Sequence, residues 1–188
     1  LTYSCGIFNS SQETLEQAQI NKYNKLINMV KPRKGDRVLE IGCGWGGFAE
    51  HLAKNYDVEL DCITISKKQF IFAKERIRRA KLSHKVNIKK LDYRDIKNKY
   101  DIIVSIEMIE AVGEKHLDKY FNIIKENLSP RGRAAIQAIV IKDELYNRYR
   151  MKEDFIQKYI FPGGFLPSLK SLKKLSNKSG LKIDRYHL

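Results

Sequence analysis

The chain has 188 residues, 43% of them hydrophobic, which is enough for one domain with a real core. A formal net charge of +14 and an isoelectric point near 9.6 point to polyanionic partners, with nucleic acid and an anionic lipid surface both candidates. Cys5, Cys43 and Cys62 show no paired spacing, which excludes a disulfide framework and a zinc motif and makes a reducing cytoplasm the expected setting. No apolar run approaches a bilayer span and no signal-peptide pattern opens the sequence, so a soluble or peripheral protein is expected.

Strands and helices are predicted in alternation, the pattern of a parallel sheet covered on both faces. A first helix is predicted over residues 12–30, where Leu15, Ala18, Tyr23, Leu26, Ile27 and Val30 recur at helical spacing. Strands follow at 37–41, 58–63, 86–90, 102–106, 133–141 and 181–187. Helices fill the gaps at 47–54, 67–81, 116–127 and 168–179, the last stopped by Gly180. Residues 142–167 carry paired aromatics and a Phe161-Pro162-Gly163-Gly164 turn, and they read as a long insertion of the kind that covers or shapes a site. The whole is expected to be a single α/β domain.

The run VLEIGCGWGG at 38–47 carries a short apolar strand into a glycine-rich turn. Gly42 and Gly44 leave the turn without Cβ atoms, so a ligand can approach the backbone, and the helix that follows offers unpaired N–H groups. A nucleotide-type cofactor is expected there. Gly42, Gly44 and Gly47 also fit the G-x-G-x-x-G spacing of dinucleotide folds, which keeps NAD as a competitor to S-adenosylmethionine (SAM). Two features favour SAM: the amphipathic helix ahead of the first strand, and acid placement. Glu40 lies two residues before the first glycine, whereas the ribose-binding acid position after the second strand holds Thr64. His51, His84 and His116 match no ligand spacing, so no metal is expected.

Seven segments occur in order: LTYSCGIF at 1–8, LEQAQ at 15–19, VLEIGCGWGGFA at 38–49, TISKKQ at 64–69, LDYRD at 91–95, SIEMIEAVGE at 105–114 and DFIQKYIFPGGFLPS at 154–168. Together they resemble the cyclopropane-fatty-acyl-phospholipid synthases, which include the mycolic acid cyclopropane synthases, over nearly the whole chain. The resemblance implies a Rossmann-like class I SAM-dependent methyltransferase fold. It also implies that the chain opens inside the family's N-terminal region and lacks the seventh strand and the C-terminal helices, leaving a strand edge unpaired or the last strand displaced.

For the cofactor, the resemblance puts Tyr3 and Ser4 beside SAM, Gly42 and Gly44 under its methionine part, and Thr64 and Gln69 on its ribose hydroxyls. Tyr93 is implied near the adenine and the Ile106 backbone at the amino-acid end, with Glu40, Ile65 and Asp92 completing the expected contacts. Thr64 in place of the acid is itself a family feature. Without the surrounding motif, Tyr93 reads equally well as core packing at a strand end.

The implied chemistry moves a methylene or methyl group from the sulfonium to the cis double bond of an unsaturated phospholipid acyl chain. Loss of a proton from the added methyl then closes a cyclopropane. A bound bicarbonate is the implied base, and the matching residues are Cys5, Glu110, Gln137 and the backbone around Ile139. Read alone, Glu110 is a solvated acid at a helix start and Cys5 a small apolar side chain. Gln137 stands where many relatives have histidine; its amide can donate and accept but cannot shuttle a proton.

Lys67, Lys68, Lys74, Arg76, Arg78, Arg79, Lys81 and Lys85 crowd residues 67–90 against Glu75. Such a run ordinarily reads as a solvated face. With the resemblance it is expected to meet anionic headgroups, placing the protein in the cytoplasm at the inner face of the membrane. After the fourth strand the chain has SIEMIEAVG instead of an Asn-Pro-Pro-aromatic run, so no nucleic-acid partner is expected. The competing readings are an enzyme making methyl-branched or methylene lipids, a small-amine methyltransferase, and a catalytically incomplete SAM- or lipid-binding domain. Part of the acyl pocket and a further tyrosine of the bicarbonate site are expected beyond residue 188, so this piece is expected to bind SAM better than it turns over lipid. Oligomeric state and acyl chain are left open.

Overall fold

The computed structural model describes residues 2–151 and 155–188. Leu1 and Asp154, which open two of the motif segments, lie outside the described residues. The chain divides into two compact units, Leu1–Ile106 with Asn127–Gln137, and Glu107–Glu126 with Ala138–Leu188.

The first unit is built on a five-stranded parallel sheet: β1 Arg37–Ile41, β2 Glu59–Thr64, β3 Val86–Lys90, β4 Tyr100–Ile106 and β5 Leu128–Gln137. The order is β3-β2-β1-β4-β5. Its centre is apolar on both faces, as a covered parallel sheet requires. Val38, Leu39, Ile41, Ile102, Ile103 and Val104 are all buried. The chain leaves β1 toward β2 on one side and returns to β4 on the other, so the crevice at the carboxyl end of β1 is a topological switch point, where open α/β sheets place their ligands.

Three helices belong to this unit: α1 Leu15–Val30, α2 Gly47–Asn55 and α3 Lys67–Arg79. A capping box starts α1, with Thr14 Oγ1 accepting from the Gln17 N–H and Gln17 Oε1 accepting from the Thr14 N–H. Its buried stripe holds Ala18, Tyr23, Leu26, Ile27 and Val30, and also the polar Gln19 and Lys22. Between β1 and α2 the glycine turn is tied to β2: the Gly42 and Cys43 N–H groups donate to the Ile63 carbonyl at 3.0 and 2.9 Å. Gly42, Gly44 and Gly46 take φ of 79°, 53° and 78°, a region that suits residues without a Cβ.

The second unit holds most of α4 Leu117–Asn127, then α5 Asp143–Met151 and α6 Leu169–Lys178. Leu117, Tyr120, Phe121 and Ile124 give α4 a buried stripe at helical spacing. A single π-helical turn, Ile156–Ile160, leads into the Phe161-Pro162-Gly163-Gly164 turn. Phe165 beyond it is buried, with the Tyr146 and Tyr149 rings 5.9 and 5.5 Å away.

Three sequence expectations are corrected. β5 runs over Leu128–Gln137, not 133–141, because its pairing with β4 starts at Leu128 and slips at a bulge before resuming at Arg133. Residues 142–167 carry a regular helix, α5, whose exposed polar face hides it from a loop-oriented reading. The expected sixth strand at 181–187 does not form among the described residues. Its alternation is present, but the Leu181 N–H donates to the Ser176 carbonyl at 3.0 Å, and Gly180 at φ 74° closes α6 in a Schellman-type cap. The segment's first apolar residue, Leu181, is spent on a helix end, and no ladder partner among the described residues meets the others.

Gly46 tests the turn. A Cβ there would lie 3.1 Å from that of Ala73 at φ +78°, so Gly46→Ala should cost about 1–3 kcal/mol, read as a lowered urea midpoint at unchanged slope.

Candidate active site

The residues after Leu1 lie over the glycine turn of their own unit, and α1 holds them there. Thr2 Oγ1 and the Tyr23 hydroxyl are 2.8 Å apart, Gln19 Nε2 donates to the Ser4 carbonyl at 2.6 Å, and Lys22 Nζ donates to Ser4 Oγ at 2.6 Å. The fit is close enough that a Cβ on Gly47 would sit 2.6 Å from the Tyr23 oxygen. A cleft results at the carboxyl end of β1. Tyr3, Ser4, Glu40, Gly42, Gly44 and Ile106, all expected at the cofactor, line it. Trp45 and Phe48 line it too and were not foreseen, although each sits inside the glycine motif.

Glu40 is strongly changed by its surroundings. It is 3% exposed. Burial pushes its carboxyl up to about 8, against the pull of a hydrogen bond from the Cys62 thiol and the charge of Lys22. One of its oxygens, Oε2, is buried with no hydrogen-bond partner among the described residues. Burial likewise drives the Cys43 and Cys62 thiols upward, so neither is a ready thiolate.

Thr64 and Gln69 meet beyond β2. The Thr64 hydroxyl donates to Gln69 Oε1 at 2.7 Å, and Gln69 Nε2 donates to the Tyr3 hydroxyl at 3.4 Å. Ile65 beside them is largely exposed. The Asp92 carboxylate is engaged by the Arg94 guanidinium and caps the turn at Tyr93–Asp95, with the Arg94 N–H donating to Oδ1 at 2.9 Å. Burial raises the Tyr93 phenol, and Arg94 lies 6.0 Å from its ring.

The residues expected at the base divide between the units. Cys5, exposed, and Gln137, the ladder partner of Ile106 at the end of β5, belong to the sheet unit. Glu110 and Ile139 belong to the other and come together: the Ile139 N–H donates to Glu110 Oε1 at 2.5 Å. Glu110 Oε2 is buried with no partner among the described residues. Burial raises the Glu110 carboxyl, the Ile139 N–H opposing and the nearby Glu107 adding to the rise. The Phe165 N–H donates to the Glu110 carbonyl at 2.8 Å, which fixes the Glu110 turn to the segment after Gly164.

The profile of the mycolic acid cyclopropane synthetase family matches residues 1–188. The chain belongs to this family. Among family relatives it is 39% identical over 176 residues to the cyclopropane-fatty-acyl-phospholipid synthase of Escherichia coli, a match covering 94% of this chain and 44% of the relative. To the tuberculostearic acid methyltransferase of Mycobacterium tuberculosis it is 37% identical over 191 residues, covering 97% of this chain and 44% of that one. The chain therefore spans less than half the length of these relatives. Among solved structures, a mycolic acid cyclopropane synthase complexed with SAH and CTAB matches at a TM-score of 0.89 and 26% identity, over 98% of this chain and 68% of that chain. Coclaurine N-methyltransferase bound to N-methylheliamine and SAH, at 24% identity and a TM-score of 0.76 over 93% of this chain and 52% of that chain, shares the fold. The fold is thus that of the class I SAM-dependent methyltransferases.

Glu40 yields a pH signature in the ligand-free protein. Its folded value, about 8, stands above the ordinary 4.5, so the folded chain holds this proton more tightly than the unfolded one. That contribution is complete below the ordinary value and is lost as pH rises through the folded one. Wild type should therefore lose thermal stability relative to Glu40→Gln between about pH 5 and about pH 9; a pH-independent difference in Tm would contradict the assignment.

Proposed function

We propose that this chain supplies the SAM site and the base-holding residues of an enzyme that adds a one-carbon unit to the cis double bond of an unsaturated phospholipid acyl chain, forming a cyclopropane. When bound, SAM supplies a methyl made electrophilic by the sulfonium, and bicarbonate supplies the base for the proton that leaves the added methyl.

The chemistry of the donor set supports SAM in the cleft. An ammonium at the amino-acid end suits the unpartnered oxygen of Glu40, and ribose hydroxyls suit the Thr64 and Gln69 pair, which both donates and accepts. Tyr3, Trp45 and Phe48 provide apolar walls that limit water at the cleft. SAH bound in a family structure supports the same reading.

The observation that carries the lipid branch is the Glu110 and Ile139 pair. A backbone N–H and a carboxylate with one buried, unpartnered oxygen form a donor beside an acceptor. Bicarbonate fits such a pair because it has both acceptor oxygens and one O–H; a fully deprotonated anion would face the Glu110 charge. Glu110 would hold the ion's O–H and Ile139 its oxygen. The tuberculostearic acid methyltransferase among the relatives favours one second reading, a methyl-branched product from the same first step.

For the membrane partner, α3 gives narrower support than its composition suggests. Arg78 and Arg79 both pair with Glu75 at 2.7 Å, and Arg76 pairs with Glu50. Lys67, Lys68 and Lys74 are exposed beside the exposed Ile71 and Phe72, a basic and apolar face suited to an anionic bilayer surface, with each lysine worth about 1 kcal/mol near it. No helix among the described residues is long and apolar enough to cross a membrane.

Incubation with methyl-labelled SAM and unsaturated phospholipid vesicles, followed by mass spectrometry of the fatty acid methyl esters, tests the reaction. One added methylene per labelled chain is expected, and label passing only to a small amine would sink the lipid reading. Glu110→Gln should lower product by roughly 100-fold or more while leaving SAM affinity within about threefold. Sedimentation with vesicles should favour anionic over neutral lipid, and equal binding to both would remove the membrane assignment from α3.

A further inference from the structure

Lys22 is 1% exposed, in the middle of the apolar stripe of α1. A lysine at a helix surface ordinarily runs its ammonium out to water, and burying that charge is costly unless partners compensate it. Here the ammonium ends on the N-terminal segment. Nζ donates to Ser4 Oγ at 2.6 Å and to the side chain of Gln19, whose own amide donates to the Ser4 carbonyl at 2.6 Å. It also lies 4.9 Å from the centroid of the Tyr23 ring.

Lys22 does not line the cleft; Ser4 and Glu40, which do, stand in front of it. The Lys22 charge reaches the Glu40 carboxyl and favours its ionised form. Other titratable groups face Glu40 from each packed element: Tyr23 from α1, Cys62 from β2 and Cys43 from the glycine turn. Cys62 is the ladder partner of Glu40 and donates its thiol hydrogen to the same carboxylate. Among these groups only Lys22 is basic.

We propose that Lys22, anchored on Ser4 and Gln19 behind the wall of the cleft, is a positioning residue for cofactor binding that favours the charged Glu40 carboxylate as the cofactor's ammonium arrives. This rests on the reading of the cleft as a SAM site. The two effects of a buried cation oppose each other. It favours the charged carboxylate that the ammonium needs, and it also repels the ammonium. Where pH would leave Glu40 protonated, the first effect dominates. Where pH ionises Glu40 unaided, the benefit disappears.

Calorimetric titration of the full chain with S-adenosylhomocysteine, which carries the same amino-acid end, distinguishes these roles. The ligand's own amino group titrates alike against every variant, so differences between variants report on the protein. Lys22→Met should weaken binding roughly tenfold near pH 7 and by less than about threefold near pH 9.5. In a Glu40→Gln background the same substitution should change Kd by less than about threefold at either pH. Circular dichroism establishes that each variant is folded, and Lys22→Gln replaces Lys22→Met if the latter is not. An equal loss at every pH and in both backgrounds would make Lys22 a packing residue and overturn the proposal, as would no loss. Failure of the wild-type chain to bind would overturn the SAM reading and this inference with it.

Discussion

Two N–H groups of one turn, those of Gly42 and Cys43, converge on the single carbonyl of Ile63, and the cofactor side of the sheet unit depends on that tie. It fastens the end of β1 to the end of β2 where the backbone must reverse, and it forces the left-handed conformations that glycine supplies. With the turn tied to β2, the carboxyl group of Glu40 is left almost wholly buried at the wall of the cleft. Burial then raises its affinity for a proton, and the surrounding groups are arranged around one awkward charge. Thr2, Tyr3 and Ser4 close over the same turn and are fastened in their own right by α1.

A similar economy operates in the second unit. Glu110 sits on a short turn whose backbone carbonyl is held by Phe165 and whose side chain is held by Ile139, so a carboxylate from one segment is fixed by two others far along the chain. The double-glycine turn before Phe165 lets this happen: a Cβ on Gly164 would lie 2.9 Å from the Phe161 carbonyl oxygen, so only glycine lets the chain fold back so tightly. The IFPGG segment thereby acquires a physical role as a brace for Glu110.

Much of the fold was legible because its signals are local. The strand at 37–41 and the strand at 86–90 were read to the residue, the first from its apolar run into the glycine turn and the second from the alternation of Val86 and Ile88 with polar residues. The starts of α3 and α6 were nearly as clear, being set by Ser66 over Gln69 and Ser168 with Ser171, whereas α1 starts at Leu15 behind its Thr14 cap and not at 12. The expected strand at 181–187 failed for a reason of the same kind. Alternation signals a strand only when a partner edge is present, and a helix cap had already claimed Leu181.

The sequence by itself determined the family, the parallel α/β order and the identity of the cleft-lining Tyr3, Ser4, Glu40, Gly42, Gly44 and Ile106, because those residues sit in motifs whose spacing is their function. Only the tertiary structure decided the environment of the charges. Lys22 looks like an interruption in an apolar stripe and Cys62 like an ordinary strand residue until α1 and β2 are brought to Glu40. The basic run of α3 looks uniform until Glu75 and Glu50 neutralise its arginines. The cause is dielectric as well as geometric: a charge takes its chemistry from the solvent it has lost and the partners it has found, and both come from residues distant in the chain.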